Sequence, residues 1–417
     1  MSSHRLPRSF VLTGLLLSVF LAATPLATAE EWAAYRGPAG DGISSDSVMA
    51  ETMAIDWKAP TPLGFSSFVV AEGRALTITA ENGQAFLLAL NANTGQEGWR
   101  AELGTTEYDG GGGSAGAPGN RGGDGPRSTP AIDGNVVYTY DAHLVLRCHD
   151  VRNGNLIWQR DVASEFAGRN IKWSNASSPV VDGDQVFVYG GGPNKSFLAF
   201  DKRTGKALWA TSDEKMTHAT PVVATIQNQR QLIAIVQSGL VSLDVNTGKE
   251  LWRAKFPYST STAASPVVSG NFVYCSAGYG VGAGLFEIES GNQVREVWFK
   301  PNELMNHWST PVVKDGYLYG LYEFKKYGRA PLQCVELATG EIMWNERGFG
   351  PGNCILVGDR LVVLSDAGEV AIVEANPNEY RELARKKVIE GKCWSTPAVA
   401  DGKIYVRSTV EGARITP

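Results

Sequence analysis

The residues able to do chemistry are few, and they fall in one kind of place. Arg127, Trp173 with Asn175, His218, Asn306 with His307 and Trp308, and Trp394 each lie a few residues ahead of a Ser-Pro or Thr-Pro dipeptide. Aromatic rings offer stacking and arginine offers paired hydrogen bonds, so these side chains, if brought together, would suit a planar or anionic ligand. Packing the interior of the fold is the other use such residues have. The remaining histidines, His4, His143 and His149, stand apart from this set, and no two histidines have the local spacing of a metal site. A hydrolase built on His218 or His307 would need a nucleophile motif, and none is present. The five cysteines, Cys148, Cys275, Cys334, Cys354 and Cys393, form no Cys-x-x-Cys. An odd number in an exported chain implies at least one free thiol or an intermolecular bond. Most read as small buried hydrophobes, and a Cys354–Cys393 disulfide is geometrically conceivable.

A glycine-rich stretch from Gly104 to Arg127 holds ten glycines in 24 residues. It lacks the Gly-Lys-Ser/Thr and the strand-to-helix setting of a phosphate-binding loop, so it reads as a surface loop. Glu107, Asp109 and Asp124 within it lack the spacing of a calcium loop.

Repeats supply the elements that would position these residues. One signature places Asn-Gly or Thr-Gly four residues before a tryptophan, as at Gly95/Trp99, Gly154/Trp158, Gly205/Trp209, Gly248/Trp252 and Gly340/Trp344, with a stretched copy at Gly291/Trp298. The other is a small-small-Pro-Val-Val run followed by a turn and an aromatic strand, beginning at Ser128, Ser177, Ala264, Ser309 and Ser395, with looser copies at Ser66, Ala219 and Cys354. Eight copies at about 45 residues each, with four short strands per copy, make an all-β, eight-bladed β-propeller of four-stranded antiparallel blades. The last copy stops before its tryptophan strand, and the segment around Trp57 is a tryptophan strand without a preceding turn. That strand should complete the eighth blade and bring the two ends of the fold into one sheet. The loops leading into the first strands then share one face, and the residues named above gather around its central funnel.

Composition sets the remaining bounds. The 417 residues carry 38 basic and 43 acidic side chains, a net charge of −5, so no nucleic-acid footprint is expected. Residues 1–29 read as a signal peptide: Arg5 and Arg8, an apolar run from Phe10 to Ala23, and a small-x-small site at Ala27 to Ala29. With no cysteine at the cleavage point, the product should be a soluble periplasmic or otherwise exported protein, with no membrane span and monomeric. Residues 30–50 form a leader and 51–417 a single propeller.

Ala199, Asp201, Thr204, Gly205, Lys206 and Trp209 complete an A-x-D-x-x-T-G-K-x-x-W pattern that resembles the repeat of the pyrroloquinoline quinone (PQQ) propeller superfamily. That group includes quinoprotein alcohol dehydrogenases and the outer-membrane-protein assembly lipoprotein. The leader from Trp32 to Ser44 is similar to the W-x-x-(F/Y)-R-G-P start of an exported bacterial branch. The resemblance implies that the repeat tryptophans pack between blades. It leaves two functions: a binding or scaffold module for a protein or polymer partner, needing no cofactor or metal, or a dehydrogenase oxidising an alcohol or sugar with PQQ and calcium. The chain has no vicinal Cys-Cys and no large insertion besides the glycine stretch, both of which such dehydrogenases usually carry, and the first reading is preferred.

Overall fold

A computed structural model describes residues 1–2, 4, 31–48, 53–107, 125–322 and 330–417. The signal-peptide reading, most of the glycine-rich stretch and a segment at 323–329 lie outside the described residues. Eight blades of four antiparallel strands follow one another around a ring, the seventh extended by one short parallel strand. Blades 1 to 7 span residues 69–105, 131–161, 180–211, 222–255, 267–301, 312–346 and 353–387, and blade 8 takes three strands from 398–416. Its fourth is Ala54–Pro60, whose Trp57 lies opposite Arg414. The ring therefore closes as the orphan tryptophan strand requires, with an early and a late segment hydrogen-bonded in one sheet. Arg407, 1% exposed, reinforces the seam. Its guanidinium donates to Thr77 Oγ1 at 2.8 Å, to the Ile78 carbonyl at 2.7 Å and to the Leu63 carbonyl at 3.2 Å. Burial pulls its pKa down to about 9, still well above neutrality.

Both sequence signatures do mechanical work between blades. The turn glycine has positive φ, which any side chain would resist, and it also lies beneath the tryptophan of the preceding blade. A Cβ on Gly95, Gly154, Gly205 or Gly248 would come within 2.5–2.7 Å of the ring of Trp57, Trp99, Trp158 or Trp209. The indole N–H then donates into the same turn: Trp57 to Ala92 O, Trp99 to Val151 O, Trp158 to Lys202 O and Trp209 to Val245 O, all at 3.0–3.2 Å. Trp252 departs from this because the next blade's turn is the stretched one around Gly291. Its N–H donates instead to Gln231 Oε1 within its own blade.

The hydroxyl residues Ser67, ahead of Phe68, and Thr129, Ser178, Thr220, Ser265, Thr310 and Thr396, each ahead of proline, form an inner belt. A following proline holds such a residue extended. The backbone N–H of a belt residue donates to the hydroxyl of the equivalent residue one blade on: Ser67 to Thr129, Thr129 to Ser178, Ser178 to Thr220, Ser265 to Thr310, and Thr396 across the seam to Ser67, at 2.8–3.0 Å. Buried backbone donors that face a central channel, where no further strand can pair with them, are satisfied in this way.

The leader fills that channel. Trp32 exchanges backbone hydrogen bonds with Val70 of blade 1, and Ile132 of blade 2 donates to Ala33 O. The chain then crosses to the far side, where buried Arg36 donates to Thr310 O, Pro311 O and Asp41 O. Ile43–Ser44 returns as a short strand parallel to Asn353–Val357. Gly42 is obligatory here, since a Cβ would stand 2.5 Å from the Arg36 guanidinium. The five cysteines are buried and unlinked, so the conceivable Cys354–Cys393 disulfide is absent. In their apolar settings burial pushes the thiols of Cys354 and Cys393 up to about 12, leaving them unreactive.

Candidate functional site

A cavity of about 150 Å³ opens in the middle of one face, lined by Tyr35, Phe65, Arg127, Trp173, Ala176, His218, Ser261, Ala263, Tyr279, His307, Trp308 and Trp394. Its walls follow from the register of the belt. The residue two positions before each belt hydroxyl points into the funnel: Phe65, Arg127, Ala176, His218, Ala263, Trp308 and Trp394 all occupy that position. Where the register supplies only alanine, at Ala176 and Ala263, larger side chains reach in, Trp173 from earlier in the same loop as Ala176 and Tyr279 from a different loop. Tyr35 of the leader closes the bottom, so the funnel is a pocket and not a pore.

One wall is aromatic. Phe65 stacks on Trp394 with ring centroids 4.8 Å apart, Trp394 lies 4.3 Å from Trp308, and Trp308 lies 4.9 Å from His307, which meets Tyr279 edge-on. The Trp308 indole N–H donates to Pro351 O and fixes its plane. The opposite wall is polar and built around a strained turn. Trp173 and Ser174 both hold positive φ, 67° and 61°, a conformation that costs non-glycine residues on the order of 1–3 kcal/mol and concentrates at functional sites. Arg127 Nη1 donates to Trp173 O at 2.7 Å, and His218 Nε2 lies 3.0 Å from Lys172 O, pinning that turn. Ser261 Oγ sits 2.8 Å from His218 Nδ1. These contacts are satisfied by one tautomer, with the proton on Nε2 and the serine hydroxyl donating to Nδ1.

Both imidazoles are neutral at physiological pH. Burial, with the Arg127 charge beside it, pushes His218 down to about 3. Burial first, then His218 and Arg127, does the same to His307. A base this weak takes a proton from Ser261 poorly, so the Ser261–His218 contact reads as a positioning hydrogen bond rather than an activated nucleophile. Arg127 supplies the positive charge, and two ammonium groups sit nearby: Lys172 Nζ 4.6 Å from the Trp173 ring centroid and Lys392 Nζ 4.5 Å from that of Trp394.

Of the residues expected at the funnel, Arg127, Trp173, His218, His307, Trp308 and Trp394 are brought together, whereas Asn175 and Asn306 are not in the lining. Both asparagines are buried and spend their amides on backbone. Asn175 Nδ2 donates to Asp141 O and Ser177 O, and Asn306 Nδ2 donates to Leu321 O while its Oδ1 accepts from the Tyr274 hydroxyl. Their correction has a simple cause: at three and four positions before the belt hydroxyl they turn into the blade. Tyr35, Phe65, Ser261 and Tyr279 were missed. Phe65 carried a legible signal, since it occupies the same register position as Trp308 and Trp394.

Calcium with PQQ finds no seat in this lining. Calcium takes oxygen ligands, chiefly carboxylates, and none is among the described lining residues. Among the described residues no group of three or more His, Cys, Asp or Glu side chains is placed to hold a metal. Nor does any helix among them have the length and apolarity to cross a membrane.

Comparison with known proteins agrees with this architecture. The model of the family described as outer membrane protein assembly factor BamB matches residues 83–346. Among solved structures, BamB from Moraxella catarrhalis superposes with a TM-score of 0.63 at 15% identity, covering 88% of this chain and 98% of that one. The computationally designed protein Ika8 superposes with a TM-score of 0.55 at 12% identity, covering 90% and 99%. A curated relative, the quinohemoprotein alcohol dehydrogenase ADH-IIG of Pseudomonas putida, is 26% identical over 138 residues, 31% of this chain and 19% of that protein. The match therefore spans about a fifth of that relative's length.

Proposed function

The chain belongs to the family of the outer membrane protein assembly factor BamB, and from that premise we propose that it is an exported, periplasmic propeller that acts as a binding or scaffold module for a protein partner. One observation carries the reading: one face opens into an aromatic funnel whose bottom is closed by Tyr35, with no carboxylate among its described lining residues. Trp308, Trp394 and Phe65 present apolar surface with fixed geometry, the kind of anchor site that concentrates binding energy in protein interfaces. The dehydrogenase reading loses ground because the funnel offers hydrogen bonds and stacking but no metal seat and no strong base.

The test is chemical crosslinking and capture of partners by the tagged protein in its host, comparing wild type with Trp308→Ala/Trp394→Ala. The double variant should keep its β-sheet circular dichroism and lose captured partners. An unchanged capture profile with the fold intact would overturn the proposal.

A further inference from the structure

Resting on the reading of the funnel as a partner-binding site, we propose that the group it receives is a single-ring aromatic side chain of a partner peptide, flanked in sequence by a carboxylate. Three features of the pocket converge on that ligand. The first is size: the cavity is about 150 Å³, close to the volume of an apolar cavity that accepts one benzene. One phenyl or phenol ring fits. The bottom is closed by Tyr35, which is held by the leader's anchorage at Arg36, so a longer group cannot pass through.

The second feature is the wall. Phe65, Trp394 and Trp308 pack on one another as a continuous aromatic wall, so an entering ring meets it edge-to-face, an arrangement that aromatic pairs favour. Tyr279 and Trp173 close the sides. The third is charge. Arg127 stands in the lining with two neutral imidazoles, and no acidic residue is among the described lining residues. Lys172 and Lys392 are spent over the rings of Trp173 and Trp394, and Lys392 also faces Asp366, so the charge the lining itself offers is that of Arg127. A chain with a net charge of −5 thus presents a locally positive funnel, complementary to an acidic residue next to the inserted ring. The turn bearing Trp173 is held at positive φ by contacts from Arg127 and His218, so the ring is preorganised before any ligand arrives.

The proposal is tested by titrating the purified protein calorimetrically with acetyl-Phe-Asp-amide, acetyl-Phe-Asn-amide and acetyl-Leu-Asp-amide. The first should bind, the second about tenfold more weakly for want of the charge-assisted contact, and the third more weakly still for want of the ring. Arg127→Gln should make the Asp and Asn peptides equivalent, and Arg127→Lys should restore part of the preference, which separates loss of charge from loss of the turn's support. Equal affinity for the Asp and Asn peptides on wild type, or a preference that survives Arg127→Gln, overturns the proposal. So does failure of all three peptides to bind, and so does binding of cellohexaose in their place. If the peptides fail while Trp308→Ala/Trp394→Ala still abolishes partner capture, the funnel remains a docking site and only the ligand class is wrong.

Discussion

Acid should destabilise this propeller earlier than its carboxylates alone would, and the two funnel histidines are the reason. In the folded protein His218 and His307 are pushed down from 6.5 to about 3. The unfolded chain therefore binds protons at these sites that the folded one refuses, and stability must rise with pH between about 3 and 6.5. Above that window both states are neutral and nothing is lost. At about pH 5 the unfolded imidazole is favoured roughly thirtyfold by protonation, which removes about 2 kcal/mol per histidine, or about 4 kcal/mol for both if they act independently. That is a sizeable share of the roughly 5–15 kcal/mol by which domains are stable. Carboxylates held down by arginine partners, such as Glu97, Glu250 and Glu382, release their contribution only at lower pH, because their ordinary value is 4.5. His149, lowered by burial, adds to the effect in the same direction, and Asp366, raised by burial, works against it.

The assay is urea unfolding at about pH 7 and pH 5, comparing wild type with His218→Gln/His307→Gln. Glutamine can keep the donor contact to Lys172 O that His218 makes through Nε2, and it does not titrate. Wild type should lose about 4 kcal/mol more than the double variant on acidification. Equal losses would show that water reaches these imidazoles well enough for protonation to cost little, and the argument from burial would fall.

Two further outcomes follow from the packing. Gly205→Val should destabilise the fold by about 1–3 kcal/mol, because it combines φ of +67° with a Cβ 2.7 Å from the Trp158 ring; an unchanged thermal midpoint would contradict the interlock between turn and tryptophan. Arg36→Met removes the donors to Thr310 O, Pro311 O and Asp41 O, each orphaned buried acceptor costing about 1–3 kcal/mol. The leader should become cleavable between residues 36 and 48 in limited proteolysis read by mass spectrometry, whereas unaltered protection would mean that the backbone pairing with blades 1, 2 and 7 suffices to hold it.

The ring, its eight blades and its closure through Trp57 are legible in the sequence because each depends on a short pattern repeated at a fixed interval. A turn glycine and the tryptophan four residues later belong to one copy, so their relation survives in the linear text even though the contact they make is with the neighbouring blade. The funnel is only partly legible, for a reason the belt makes clear. The belt hydroxyl, ahead of proline in every copy but that of Ser67, defines a register, and residues two positions earlier point inward. Aligning the copies on that hydroxyl picks out Phe65, Arg127, His218, Trp308 and Trp394 together, whereas proximity alone also gathers Asn175 and Asn306, which turn into the blade. Tyr35 lies beyond the reach of any such alignment. It belongs to no repeat, and its place in the funnel is decided by Arg36 meeting Thr310 and Pro311, more than 270 positions along the chain. Ser261 and Tyr279 come from loops of differing length, so no common interval marks them. What the periodic part of the sequence specifies is a ring with a hole in it. The aperiodic leader turns the hole into a pocket by setting Tyr35 across its bottom.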